Sequence, residues 1–118
     1  MQFQEEKIGD VLIFRLLQPR FDTYIAPEFK TEMLRLIEKE SEHKILIDLN
    51  EVDYVDSSGL GALLFGLRQV KSKSGVLKLV NLNPKFLNLI RIAKLDNVLK
   101  SYDNDDEAVA SFKEDYDP

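Results

Sequence analysis

The most confining feature of this sequence is a short run, Ile45 to Leu49, in which every residue except Asp48 is apolar. A strand of that composition has no face to show to water and belongs in the middle of a sheet covered on both sides. Beyond the loop Asn50 to Asp56, the spacing of Leu60, Leu63, Leu64, Leu67 and Val70 predicts an amphipathic helix, and Val76 to Leu82 predicts another strand. Strand, helix and strand with short joints form a βαβ unit, with parallel strands and a right-handed crossover.

The flanks extend this unit without adding a second one. Phe3 to Ile8 and Val11 to Leu17 flank Gly9-Asp10 as the arms of a hairpin. From Pro27, Phe29, Met33, Leu36 and Ile37 predict a helix, with the proline in a first turn where its missing N–H costs little. Asn83-Pro84 reads as the cap and first residue of a third helix on the stripe Phe86, Leu89, Ile90 and Ala93. A short strand at Val98 to Tyr102 and a helix from Asp105 to Lys113, capped by Asn104 or Asp105 and burying Ala108 and Phe112, complete the order. The expectation is an α/β fold: one mixed sheet of four to five strands, its centre parallel, with four helices against it. At 118 residues and 44% hydrophobic content, the chain is expected to be a single domain over 1–118.

Composition narrows the function classes. There is no cysteine, and His43 is the single histidine, which removes disulfide scaffolds, thiol catalysis and Cys/His zinc sites. Residues 103–118, an acidic C-terminal helix and tail, hold seven acids against the single base Lys113. The other 102 residues carry 15 bases and 14 acids. A neutral body with an acidic tail lacks the basic footprint that binds phosphate backbones, so no direct nucleic-acid partner is expected. The start MQFQEEKIGD has neither the basic residues nor the apolar stretch of a signal peptide, and no apolar run approaches a membrane span. A cytoplasmic location without membrane contact is therefore expected.

The chemically unusual stretch is Glu51 to Gly66, EVDYVDSSGLGALLFG, between the central strand and the second helix. Open α/β sheets place ligands at this carboxyl end of their strands. Asp56, Ser57 and Ser58 are all good N-cap residues, so helix capping alone accounts for them. Gly59, Gly61 and Gly66 are costly inside a helix and point to a close approach by a partner or by a packed neighbour. Gly59 and Gly61 do not extend to a dinucleotide fingerprint, because Leu64 stands at the third glycine position. There is no G-K-[ST] phosphate loop and no G-x-S-x-G. A serine nucleophile would have only His43 as base, and His43 precedes the buried strand, at its far end. Asp22, Asp53 and Asp56 could mimic a divalent-cation site, but solvated loop acids explain them equally, and neither metal nor cofactor is expected. A serine at a helix N-terminus suits modification: a phosphate there meets the positive end of the helix dipole and adds about −2 charge beside Asp53 and Asp56.

These residues also carry a resemblance. VDYVDSSGLGALL at 52–64 resembles the signature D-S-[ST]-G-[LI]-[GA] of the STAS domain family, specifically its bacterial anti-sigma factor antagonists, and the order of elements over about residues 2–113 fits that family. The resemblance implies a STAS-like fold, no enzymatic activity and phosphorylation at Ser57, with Asp56, Ser58 and Gly59 beside it at the partner-binding surface. RFDTYIAPEF resembles the stretch around the family's G-x-[LI]-D motif and places its aspartate at Asp22. Here Gln18-Pro19-Arg20 replaces the glycine, and Ile25 stands where a capping Thr or Ser is common. Tyr24 and Ile25 are contact residues if exposed, and core residues if tucked under the first helix. The implied partners are an anti-sigma factor that is also a serine kinase of histidine-kinase-like ATPase fold, and a PP2C-type phosphatase. The alternative is a STAS scaffold or sensory module that binds constitutively, with the serines only capping a helix.

Overall fold

A computed structural model describes residues 1–114. The elements follow as β1 (Phe3–Ile8), β2 (Val11–Leu16), β3 (Arg20–Phe21), α1 (Ala26–Leu34), β4 (Lys44–Asp48), β5 (Tyr54–Val55), α2 (Ser57–Lys71), β6 (Val76–Val80), α3 (Pro84–Ile92), β7 (Ser101–Tyr102) and α4 (Asp105–Ser111). The main sheet has the order β1-β2-β4-β6-β7. β1 and β2 are antiparallel and every other pair is parallel, so the predicted mixed sheet and its central βαβ unit are present. Gly9 turns the hairpin with a left-handed φ of +61°, a conformation that costs a residue without a Cβ nothing.

Alternation along the three central strands sorts side chains to the two faces. Leu12, Phe14 and Leu16, then Ile45 and Ile47, then Leu77 and Leu79 face one side, where α1, α2 and α3 lay Phe29, Met33, Ala62, Leu63, Leu67, Val70, Phe86 and Ile90 over them. Val11, Ile13, Leu46 and Val80 face the other side and meet Ala108 and Phe112 of α4. Three further residues of the central strands belong to this second face and are polar. Arg15, opposite Asp48 in the register, donates to Asp48 (2.7 Å) and Glu6 (2.6 Å) and pairs with Asp105 at the start of α4 (3.0 Å). Those partners, Glu6 foremost, hold its guanidinium more firmly protonated than usual, against the opposing effect of its partial burial. Lys78, only 3% exposed, donates to the Ser111 hydroxyl (2.9 Å) and carbonyl (3.1 Å), with its ammonium over the Tyr102 and Phe112 rings.

Several expected details differ. β3 and β5 form a separate two-stranded parallel sheet that no local pattern announces. The last sheet strand shrinks from Val98 to Tyr102 to two residues, because only Ser101 and Tyr102 lie in register with β6, and Val98 is exposed. α1 begins at Ala26 and continues as a π-helical turn, Arg35–Lys39, in which the Glu40 N–H reaches back to the Arg35 carbonyl (3.1 Å). On α3 only Phe86 and Ile90 of the expected stripe are buried; Leu89 and Ala93 are exposed. α4 ends at Ser111, and residues 115–118 of the acidic tail lie outside the described residues. β1, an edge strand, exposes Gln4, Glu5, Glu6 and Lys7 and buries part of Phe3, which stacks on Phe14 with ring centroids 4.7 Å apart.

Candidate functional site

Because β2, β4 and β6 run parallel, the connections leading into α1, α2 and α3 all emerge at one end of the sheet. Backbone hydrogen bonds tie these loops together. The Pro19 carbonyl accepts from the N–H groups of Asp53 (2.8 Å) and Tyr54 (3.2 Å), and the Phe21 carbonyl accepts from Asp56 (3.3 Å). Asn83 joins the third loop by donating its side-chain amide to the carbonyls of Val52 (3.2 Å) and Asp53 (3.1 Å), while its oxygen caps α3 at Phe86. Gly59 completes the contact: a Cβ there would collide with the Phe21 carbonyl oxygen, so the first turn of α2 rests on β3 at a distance only glycine allows. The expected close approach at this glycine is therefore a packed neighbour, and Gly59 is buried.

Asp56 is the N-cap of α2. Its Oδ1 accepts from the N–H groups of Ser58 (2.9 Å) and Gly59 (3.0 Å), satisfying two of the donors that a helix start leaves unpaired. The two serines then differ sharply. The Ser58 hydroxyl is half-buried and shares a hydrogen bond with the Thr23 hydroxyl (3.1 Å), bridging the first loop to α2. Ser57, the first residue of α2, is exposed, and its hydroxyl has no hydrogen-bond partner among the described residues.

Asp22 is not a freely solvated loop acid. Its carboxylate accepts from the Tyr24 N–H (3.0 Å) and the Arg20 guanidinium (3.3 Å), and its carbonyl accepts from Ile25 (3.1 Å) and Ala26 (2.8 Å). This local turn starts α1 without a capping side chain, which Ile25 cannot supply. Of the two candidates beside it, Tyr24 is 89% exposed, whereas Ile25 packs against the core. The site also contains groups that the sequence reading did not single out. Arg20 stacks its guanidinium 4.2 Å from the centre of the Tyr54 ring, joining the two loops on their outer side, and Thr23 and Asn83 act as bridges. The pairing of Arg20 with Tyr54 has no local signature, since the residues are brought level only by the β3–β5 register.

Two enzymatic constructions fail on geometry. His43 is exposed and immediately precedes β4, at the opposite end of the sheet, so it cannot serve Ser57 as a base. Asp22, Asp53 and Asp56 do not converge: among the described residues no group of three or more His, Asp or Glu is disposed to hold a metal ion. What remains is an exposed, unengaged hydroxyl at the start of α2, at the same end of the sheet as exposed Tyr24 and as Arg20 stacked on Tyr54.

The chain is similar to known proteins in sequence and in fold. The sequence is 33% identical over 78 residues to the anti-sigma-B factor antagonist of Bacillus subtilis, covering 66% of this chain and 70% of that one. It is 26% identical over 113 residues to the anti-sigma F factor antagonist of Paenibacillus polymyxa, covering 96% of both. The crystal structure of the Thermotoga maritima protein TM1081 superposes with a TM-score of 0.84 at 27% identity, over 94% of each chain. The STAS domain profile matches residues 2–108, from the hairpin to the middle of α4, and the chain belongs to the STAS domain family.

Proposed function

We propose that this protein is an anti-sigma factor antagonist: a non-enzymatic binding module of the cytoplasm that sequesters an anti-sigma factor and so regulates sigma-factor-dependent transcription. In this reading the anti-sigma factor is also a serine kinase of histidine-kinase-like ATPase fold. It docks on the loop end of the sheet through Asp22, Tyr24 and the Asp56-Ser57-Ser58 start of α2, and it phosphorylates Ser57. A PP2C-type phosphatase restores the unmodified form.

The observation that carries this reading is the contrast between the two serines. Ser58 is committed to Thr23, whereas Ser57 offers an exposed and unpartnered hydroxyl. Asp56 already occupies the N–H groups of Ser58 and Gly59, so a phosphate on Ser57 meets a standing carboxylate rather than open donors. About −2 charge added at that point repels an acid-rich or closely fitted partner and leaves polar groups poorly paired on association. Asp22 serves by holding Tyr24 outward through its Asx turn.

The test is a pull-down from native-host lysate with wild type, Ser57→Ala and Ser57→Glu as parallel baits, followed by mass spectrometry. Wild type and Ser57→Ala should retain an ATPase-fold kinase that Ser57→Glu loses, and the captured kinase with ATP should phosphorylate wild type but not Ser57→Ala. If all three baits retain the same protein, the domain is a constitutive scaffold and Ser57 is only the first residue of a helix.

A further inference from the structure

Four of the five glycines are explained by the fold. Gly9 turns the hairpin, and Gly59, Gly66 and Gly75 each have a neighbour where a Cβ would stand. Gly61 is different: its φ is not left-handed, and no atom lies within 4 Å of the place its Cβ would take. A glycine inside a helix destabilises it relative to alanine, and here nothing in the folded chain requires one. The space it leaves empty is the floor of a groove of about 370 Å³ between α1 and α2.

That groove has a definite chemical character. Ala26, Pro27, Gly61 and Phe65 line it with apolar surface, and Thr23 and Ser58, whose hydroxyls share a hydrogen bond, line it near the start of α2. Lys30 and Arg68 stand on opposite rims, on α1 and α2 respectively. Neither has a carboxylate within ion-pairing distance among the described residues, and the Lys30 ammonium lies 5.6 Å from the centre of the Phe65 ring. The chain's own acidic helix α4 packs on the other face of the sheet and does not supply the missing charge.

We propose that this groove docks an acidic segment of a protein partner, with one apolar side chain seated over Gly61 against Phe65 and flanking carboxylates on Lys30 and Arg68. The shape fits a side chain entering where a Cβ has been omitted, and the two rim cations fix the sign of the occupant's charge. The inference deepens the partner-binding reading and rests on its premise that this end of the molecule meets another protein. It extends the contact surface from the exposed start of α2 down the α1 side of the helix, with Ser58 and Thr23 as the shared border.

The test is a titration of the full-length, unmodified protein, followed by backbone amide shifts. The probe is a capped hexapeptide of sequence Glu-Asp-Leu-Leu-Asp-Glu, with its all-lysine charge reversal and inorganic phosphate as separate arms. The acidic peptide should shift the amides of Lys30, Gly61, Phe65 and Arg68 and weaken as salt is raised. Gly61→Leu, whose added Cβ meets no neighbour and whose side chain extends into the groove, and Arg68→Glu should each weaken it at least about tenfold, the loss of one anchoring contact. Unchanged dispersion of the other amides verifies that both variants are folded. Shifts elsewhere, equal binding of the reversed peptide, the same shifts from phosphate alone, indifference to Gly61→Leu, or shifts produced by protein concentration alone each overturn the proposal. No kinase enters this titration, so its failure leaves the Ser57 pull-down standing, and the converse holds.

Discussion

The two faces of the sheet are built on different principles. Among the described residues the face beneath α1, α2 and α3 gathers 22 buried apolar residues, with buried Glu42 paired to Lys7 opposite Leu12, whereas the α4 face gathers six around Arg15, Asp48 and Lys78. The first face derives its stability from area removed from water, which is insensitive to the orientation of any one group. The second depends on directed contacts: Lys78 reaching Ser111, and Arg15 shared among Glu6, Asp48 and Asp105. The helices α1, α2 and α3 that follow the loops rest on the apolar face, and the acidic helix α4 is fastened to the polar one.

The largest expected effect lies at the centre of the apolar face. Phe29→Ala removes a ring packed on both Phe14 and Phe21 and should cost about 3–5 kcal/mol in denaturant unfolding, a large part of a small domain's total. Phe112→Ala removes a ring from the other face, and here the comparison is at risk. If α4 is fastened separately, hydrogen exchange should accelerate at Asp105–Ser111 and Ser101–Tyr102 while β2 and β4 stay protected, and the cost should be about 3 kcal/mol or less. Global acceleration in that variant would make the two faces one cooperative unit.

Smaller effects probe the join between the apolar face and the loops. Asp56→Ala strips the α2 cap and should cost about 0.5–2 kcal/mol by thermal unfolding, with faster exchange confined to the Ser58 and Gly59 amides. Gly61→Ala should act in the opposite direction and stabilise by about 1 kcal/mol, since no neighbour obstructs the added methyl. The smallest effect belongs to the hairpin. The Lys44 ammonium, hydrogen-bonded to Asp10 at 2.8 Å, holds that carboxyl below the usual carboxylate range. The stabilisation it supplies is present above the ordinary aspartate pKa of about 3.9 and is lost as pH falls through the depressed folded value. A slight deficit in the melting temperature of Asp10→Asn at neutral pH should therefore close in acid.

What was legible in the sequence follows the range of the forces involved. The hairpin, the βαβ unit, the Asn83 cap and the Ser57 helix start are written in local periodicity and capping chemistry and stand where their residues predict, and of the two candidate caps of α4, Asn104 and Asp105, Asn104 is the cap. The β3–β5 ladder was not legible: it joins residues over thirty positions apart through backbone groups, and Arg20-Phe21 and Tyr54-Val55 are too short to show a period. For the same reason the stacking of Arg20 on Tyr54 and the sharing of a hydrogen bond by Ser58 and Thr23 were hidden, although Ser58 itself was singled out as a capping and contact residue. Lys78 was hidden differently. Nothing local in VLKLVNL tells what surrounds its lysine, and only the arrival of β7 and α4 from the far end of the chain gives it a carbonyl, a hydroxyl and two rings to lie among.

The exposed charged run on β1 has a consequence for how this molecule can be approached. A sheet edge is a template for further strands unless something spoils it. Here one edge carries Gln4, Glu5, Glu6 and Lys7 in succession, and the other, β7, is only two residues long. Neither side of the sheet invites a neighbouring chain to extend it, so crowding should not drive this protein into ribbons or fibrils. An assembly that does not extend the sheet can come apart without any strand having to be peeled away.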